Sequence, residues 1–460
     1  MTNKNYDSEF CGRVPLNQTN MVQPHGVLVL VDRKRAQVIQ VSENAEAVFG
    51  VAALQLINTA FTGYISATQK EAFLKHLQNG GSEKVPFTFT FNNNGKEKDY
   101  VALAQAFESY LMLEIEIANG QDAPQPFVKV YQQLKPSIAG IEAAENIETA
   151  ASIVAKELKH ISGFDKVMIY RFDEEWNGTV IAEEMEEGME SYMGLKFPAS
   201  DIPRSAREMY RTNPYRFIPD GNAQPVRLYP VINPVTHGFT DLSATNLRSI
   251  AGVHVEYLRN MKVTASMSTR IVKEGKLWGL ISCHHRTARH LSYHTCSLFE
   301  LLSDIISAKI SALDHQLAAR FKSGMHQLYS NVLEGIYSGQ NLADGLSRQH
   351  QDVLQLLNAD GVAIVHKKEI KTFGTTPSDA AIEDLVFWLQ SKEISELYHV
   401  TSLSHLYEGA EAYAHEASGL LALPVQPEDG SFILAFRPEA VQQVSWGGNP
   451  NEAITFTPDK

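Results

Sequence analysis

Residues 194 to 247 are rich in Pro, Asn and Asp and only weakly periodic. A connection that long with no elements of its own is uncommon inside a compact domain; where it occurs it usually carries function or is disordered. Its opening argues against disorder. Phe197-Pro198-Ala199-Ser200-Asp201-Ile202-Pro203 sets an acid between two prolines. Proline fixes φ and removes a donor, so the segment is stiff and is barred from a sheet interior. A stiff loop holds a backbone carbonyl and a carboxylate in one place. Whatever the chain folds into must carry this loop on a scaffold of regular elements.

The flanking sequence supplies that scaffold. Gly26 to Asp32 is a short apolar run and reads as a buried strand. Val85 to Phe91 alternates apolar and polar, as in a sheet with one solvated face, and Asn92-Asn93-Asn94-Gly95 reads as a hairpin turn. Tyr110 to Ile115 closes a first α+β unit, and residues 119–126, with glycine and two prolines, read as a linker. A helix over 147–161 opens a second unit, with strands expected over 166–172, 179–182, 265–272 and 276–283. Leu298, Leu301, Leu302, Ile305, Ile306, Ile310, Leu313 and Leu317 recur at three- and four-residue steps. That helical pattern runs from Tyr293 to about Ile336, either as one connector whose stripe pairs with a second subunit or as two shorter helices. Hairpins are expected over 361–373 and 419–436.

The length of 460 residues suits about three domains. Boundaries are expected near 125 and 320, giving segments 1–125, 126–320 and 321–460. Lys and Arg total 40 against 53 Asp and Glu, a net charge of -13, which removes any general drive toward nucleic acid or anionic lipid. No apolar run reaches membrane-spanning length, and the polar N-terminus has no signal-peptide core. Three cysteines, Cys11, Cys283 and Cys296, make no disulfide framework and fit a reducing cytoplasm.

The loop region and its borders hold the unusual chemistry. Arg216 and Arg248 suit carboxylates or phosphates, and Ser266 and Ser268 add hydroxyl donors. Tyr170, Phe197, Tyr210 and Tyr257 offer a flat apolar wall, so the set suits a planar ligand with anionic arms. His284 and His285 end a strand and point to opposite faces, which disfavours a shared metal; His284 gains weight only beside His254. Cys283 and Cys296 fall inside elements and pack, whereas Cys11 stands outside any strand, where a reactive role has room.

At these residues the sequence resembles the phytochromes, and among them the bacteriophytochromes. Cys11 is followed by Val22-Gln23-Pro24-His25-Gly26, then by Pro198 to Pro203 and Leu247-Arg248-Ser249. Glu256 to Met261, Leu277 to His285, Phe436-Arg437-Pro438-Glu439 and Trp446 to Pro450 follow in order. The resemblance covers nearly the whole chain. It implies an α+β protein of PAS, GAF and PHY domains in series, with antiparallel sheets, a long connecting helix and a figure-of-eight knot between PAS and GAF. It implies a red/far-red photoreceptor without catalytic turnover, whose cofactor is biliverdin IXα, thioether-linked through Cys11, and whose signal is Z/E isomerisation of the D ring. Val253 stands where relatives with a GAF cysteine attach other bilins. On the same resemblance Asp201, with Ile202 and Pro203, faces the pyrrole nitrogens and His254 is the pyrrole-water histidine. Arg216 and Arg248 hold the propionates beside Tyr210, Ser266 and Ser268. Tyr170, Phe197 and His284 surround the D ring, and Tyr257 is a further wall.

The resemblance also implies a homodimer through the long helix, and a response regulator and kinase domain in a longer parent. This sequence departs from the family pattern at Ala251 and Gly252, and it stops at Lys460 before the Pro-Arg-x-Ser-Phe string, as a sensory module cut inside its third domain would. Two other readings compete with this one. A GAF-type regulatory module for a cyclic nucleotide or another planar anion explains the arginines but not Cys11 or the proline-flanked aspartate. A hydrolase built on His254, His284 and Asp201 lacks a nucleophile elbow and a metal-spaced histidine motif.

Overall fold

The computed structural model describes residues 17–93, 95–117, 127–367, 369–440 and 445–447. Cys11 and the expected linker at 119–126 lie outside the described residues. The chain divides into two compact units, residues 1–313 with 444–460, and residues 314–443.

The first unit holds two antiparallel sheets. One has seven strands, in the order Met21–Val22, Val226–Tyr229, Val38–Ser42, Gly26–Asp32, Tyr110–Glu116, Lys96–Ala106 and Val85–Asn93. Gly26–Asp32 lies inside it and is buried on both faces, which is why it reads as an unbroken apolar run. One face packs Val29, Phe61, Phe89 and Phe91, and the other packs Leu28, Leu30, Met112 and Leu247.

The segment from Asn17 to Gln23 is bonded on both edges by one loop. Leu228 N donates to Asn20 O at 3.1 Å and Leu242 N to Asn17 O at 2.8 Å. On the other edge Gln23 N donates to Leu247 O at 2.6 Å and Ser249 N to Met21 O at 3.0 Å. The buried Gln23 side chain donates to Phe217 O and Asn246 O at 3.0 and 2.9 Å. This clasp ties the Val22 to Gly26 string to the loop region that the sequence marked as irregular.

The second sheet runs Tyr215–Ile218, Ala265–Lys273, Lys276–His285, Lys166–Phe172, Gly178–Met185 and Lys196–Phe197. Side chains alternate across it. Val167, Ile169, Met267, Ile281 and Cys283 point to a core shared with Val154 and Leu158 of the Ile147–Ser162 helix and with Phe299, Leu302 and Ile306. Asn146 caps that helix, accepting from Thr149 N at 2.8 Å. The opposite face carries Met168, Tyr170 and Leu280. The long periodic run is one continuous helix, Tyr293–Ser338, of 46 residues, about 69 Å at the standard rise.

The unbroken irregular stretch expected over 194–247 needs correction. It contains the helix Arg204–Thr212 and the strands Lys196–Phe197, Tyr215–Ile218 and Val226–Tyr229. Each is short, and in the helix sequence Arg-Ser-Ala-Arg-Glu-Met-Tyr-Arg-Thr the apolar stripe is only Ala206, Met209 and Tyr210 among polar and charged residues. The return strand expected over 179–182 extends to Gly178–Met185, because Glu183 and Glu184 hide its end.

The second unit contains a five-stranded antiparallel sheet, ordered Glu369–Gly374, Gly361–His366, Ser431–Arg437, Gly419–Gln426 and Tyr398–Val400. Both hairpins read from sequence are present. Phe432, Leu434 and Phe436 pack on Leu385 and Leu389 of the helix Asp379–Ser391, which the sequence reading did not anticipate.

Candidate functional site

The strand register gathers the predicted residues on one face of the six-stranded sheet. Arg216 pairs with Ser268, which pairs with Ser282; Ser266 pairs with His284, which pairs with Lys166. Tyr170 pairs with Leu280 and shares an aromatic cluster with Phe197, and Ile202 and Tyr210 pack against that cluster. Above the sheet stand the Pro198 to Pro203 turn and the helix Gly252–Asn260, which brings His254 and Tyr257 with rings 5.9 Å apart and nearly parallel.

His254 is accessible to solvent, yet burial dominates its titration and lowers its pKa to about 4, helped by Arg216 and Arg248. A group with both properties lines a recess rather than the outer surface. Arg216 is tied to backbone: its guanidinium donates to Asn246 O at 3.0 Å, Arg248 O at 2.6 Å and Ser249 O at 3.1 Å. Burial and then Arg248 lower its pKa to about 9. Burial also lowers the pKa of Arg248, whose Nη1 donates to the Met209 sulfur. Among the described residues neither guanidinium forms an ion pair with a carboxylate. Tyr210 joins them; burial raises its hydroxyl pKa, and bonding to Ser268 and the two arginines opposes that.

His284 is buried, and its pKa is lowered to about 3 by burial, then Lys166, then His254. That coupling puts the two histidines in the same recess, the condition on which His284 gains weight. His285 turns to the other side, 3.1 Å from Asp165 Oδ2. Tyr257 and Tyr170 are both held protonated by burial, with Asp201 the next cause in each case, so the aspartate sits near both rings. Cys283 and Cys296 are buried and burial raises both thiols, so they pack. Among the described residues no group of three or more His, Cys, Asp or Glu is placed to hold a metal ion. A separate cleft of about 210 Å³ lies behind the Gly252–Asn260 helix, lined by Val255, Leu258, Arg259 and Lys262, and no predicted residue reaches it.

Asp201 is the carboxylate of the site, and burial raises its pKa from 3.8 to about 6. A raised carboxylate contributes stability that is full below its unfolded pKa and is lost as pH rises through the folded value. In ligand-free protein Asp201→Asn should therefore unfold at higher temperature than wild type at pH 7. The gain should be about 1–3 kcal/mol, and the two proteins should converge below pH 4. Thermal melts at pH 4 and pH 7 check this; equal melting at pH 7 would count against a desolvated Asp201.

Sequence reasoning missed the residues that fix the loop. Arg207 is buried and donates to Ala199 O at 3.2 Å and Ile202 O at 2.5 Å, with its guanidinium 4.8 Å from the Trp176 ring. It locks the proline-flanked turn, but one Arg among the three of a largely polar helix gives no signal. Residues Ser445–Gly447 add to the edge at Lys196. Lys196 N donates to Ser445 O and Gly447 N to Lys196 O, both at 2.9 Å. Lys196 Nζ lies 2.7 Å from Asp173 and 5.6 Å from the centre of the Trp446 ring. The aromatic ring of Phe197 lies so close to Gly447 that a Cβ there would stand 2.5 Å from it.

The PAS fold model matches residues 11–118, the GAF domain model 146–310 and the phytochrome region model 325–460. A bacteriophytochrome of Xanthomonas campestris pv. campestris is 32% identical over 455 residues, which is 97% of this chain and 71% of that protein. The chain belongs to the phytochrome family. Cyanobacterial phytochrome A of Nostoc sp. is 34% identical over 442 residues, and the chain spans 57% of its length. A solved bacteriophytochrome of R. palustris matches with a TM-score of 0.83 at 33% identity, covering 97% of this chain and 90% of that one. The photosensory core module of the Stigmatella aurantiaca phytochrome gives 0.80 at 34% identity, covering 96% and 87%. The three sheets thus fall in PAS, GAF and PHY segments of a phytochrome core, with one strand from the GAF segment, Val226–Tyr229, joining the PAS sheet. Among the described residues no helix is long and apolar enough to cross a membrane.

Proposed function

We propose that this phytochrome chain is a cytoplasmic red/far-red photoreceptor module that holds biliverdin in the recess, linked through Cys11. One observation supports this most. Arg216 and Arg248 stand together with no carboxylate partner among the described residues, beside three hydroxyls and an aromatic wall. Two guanidiniums suit a ligand with two carboxylate arms, and the wall of Tyr170, Phe197 and Ile202 suits its conjugated body. When bound, the bilin supplies light absorption and an isomerisable double bond. The residues supply the rest. Arg216 and Arg248 anchor the arms, with Tyr210, Ser266 and Ser268 as further donors. Asp201 and its backbone carbonyl offer acceptors to the pyrrole N–H groups. His254 and His284, both neutral, accept or donate hydrogen bonds, and Tyr257 closes the wall.

A planar-anion regulator would use the same arginines, and one experiment separates the two. Biliverdin is mixed with apoprotein, and absorption is recorded in darkness and after red and far-red light. A red band that cycles with light is expected, with zinc-induced fluorescence on the denatured protein band that disappears in Cys11→Ala. No band, or labelling that persists in Cys11→Ala, would sink the reading or its attachment site respectively. We also infer that the two-edged clasp around residues 17–23 is a threaded crossing, the knot of the family. We infer as well that the Tyr293–Ser338 helix pairs two copies, since Leu317, Phe321 and Tyr337 are exposed along it. Light scattering of the same sample reads the pairing, and a strict monomer at high concentration would refute it.

A further inference from the structure

Lys166 carries a charge that the reading above leaves unused. It opens the strand Lys166–Phe172, shares a face with Met168 and Tyr170, and is 1% exposed. A buried ammonium is costly unless its donors are met. Its Nζ is 3.4 Å from the buried Glu183 carboxylate and donates to Glu190 O, and it lies 3.8 Å from the centre of the Tyr192 ring. Glu183 is fixed in turn by Ser191 Oγ at 2.6 Å and Tyr192 N at 3.1 Å. The Tyr192 ring meets Phe197 edge-on at 5.7 Å. One cation thus ties two strands and the loop after them to the aromatic wall of the recess.

His284 is the direct register partner of Lys166 across the neighbouring strand, and both side chains point to the recess face. Lys166 faces the imidazole from one strand, with Glu183 and Glu190 behind the ammonium. Ser266 lies opposite on the other strand, and His254 faces it from the helix above. We propose that Lys166 is the positioning residue for His284: its buried ammonium, clamped by Glu183 and Tyr192 and facing the ring across the strand pair, adds to burial in keeping that imidazole neutral. A neutral ring keeps one donor and one acceptor for a ligand in the recess, and a protonated ring would keep only donors. The consequence for a bilin rests on the proposed function; the assignment to His284 does not.

The test uses ligand-free protein with labelled histidine and follows the His284 ring by NMR from pH 8 to pH 5. Wild type should stay neutral to pH 5. Lys166→Met should raise the protonated fraction at pH 5 at least tenfold, and Lys166→Arg should restore wild-type behaviour. Glu183→Gln leaves the ammonium unscreened and should keep the ring neutral. These different outcomes separate electrostatics from loosened packing, which would move both variants the same way. Should Lys166→Met fail to fold, Lys166→Met/Glu183→Gln compared with Glu183→Gln carries the same contrast, the double variant showing the higher protonated fraction. A ring as neutral in the Lys166→Met proteins as in their references would overturn the proposal, as would a Glu183→Gln protein that protonates as readily as Lys166→Met. Because no bilin is present, these results stand whether or not biliverdin binds.

Discussion

Gly178→Ala should destabilise the first unit by about 3 kcal/mol, the upper end of the overpacking range. Gly178 opens a strand of the six-stranded sheet, pairs with Phe172 on one side and Phe197 on the other, and is buried. A Cβ there would stand 1.7 Å from Tyr170 Cε1, 1.8 Å from Cζ and 2.2 Å from the hydroxyl oxygen. Those distances lie far inside van der Waals contact, so the ring must shift. It is flanked by Phe172 at 5.3 Å and Phe197 at 6.2 Å, so its shift disturbs the aromatic wall. The substitution therefore damages a site residue without touching it in sequence. A double-mutant cycle reads this by urea denaturation. Tyr170→Ala removes the ring, and Gly178→Ala should then cost little. An equal cost of Gly178→Ala in both backgrounds would show that the ring is not what the methyl displaces.

Gly178 also illustrates why the sequence reading reached some residues and not others. The proline-flanked aspartate, the two arginines and His254 were legible because their types are rare in a core and point to one ligand chemistry. Gly26–Asp32 was legible because burial on both faces leaves an unbroken apolar run. Gly178, Arg207 and Lys166 act through close approach, backbone bonding and buried charge, and none of these leaves a pattern in residue type. Arg204–Thr212 and Tyr215–Ile218 were hidden for a different reason. Both are short, and the prolines and polar residues around them mask what pattern they carry. Lys166 is the sharpest case. A lysine at a strand start reads as solvated, and only the fold encloses it with Glu183 and Tyr192.

Arg248→Met should weaken biliverdin binding by tenfold to about a hundredfold while leaving the ligand-free protein as stable as wild type or more so. The two halves of that expectation come from the same geometry. Arg216 and Arg248 are each penalised by burial, and Arg248 further lowers the pKa of Arg216. Removing the charge of Arg248 relieves that repulsion. Among the described residues it breaks one side-chain hydrogen bond, to the Met209 sulfur, a weak acceptor. A ligand carboxylate has the reverse effect, since it satisfies a guanidinium that has no carboxylate partner among the described residues. A hydrogen bond to a charged group is worth about 1.5–3 kcal/mol, and about 1.4 kcal/mol is a factor of ten. Arg216→Met should behave differently, because it also strips donors from the carbonyls of Asn246, Arg248 and Ser249 and so loosens the loop before any ligand arrives. Affinity is best read by fluorescence quenching in a Cys11→Ala background, where no covalent bond can trap the ligand, and stability by thermal melts without it. Unchanged affinity in Arg248→Met would remove that arginine from the site. A large loss of ligand-free stability would instead make it a structural residue, and would leave Arg216 alone to meet an anionic arm.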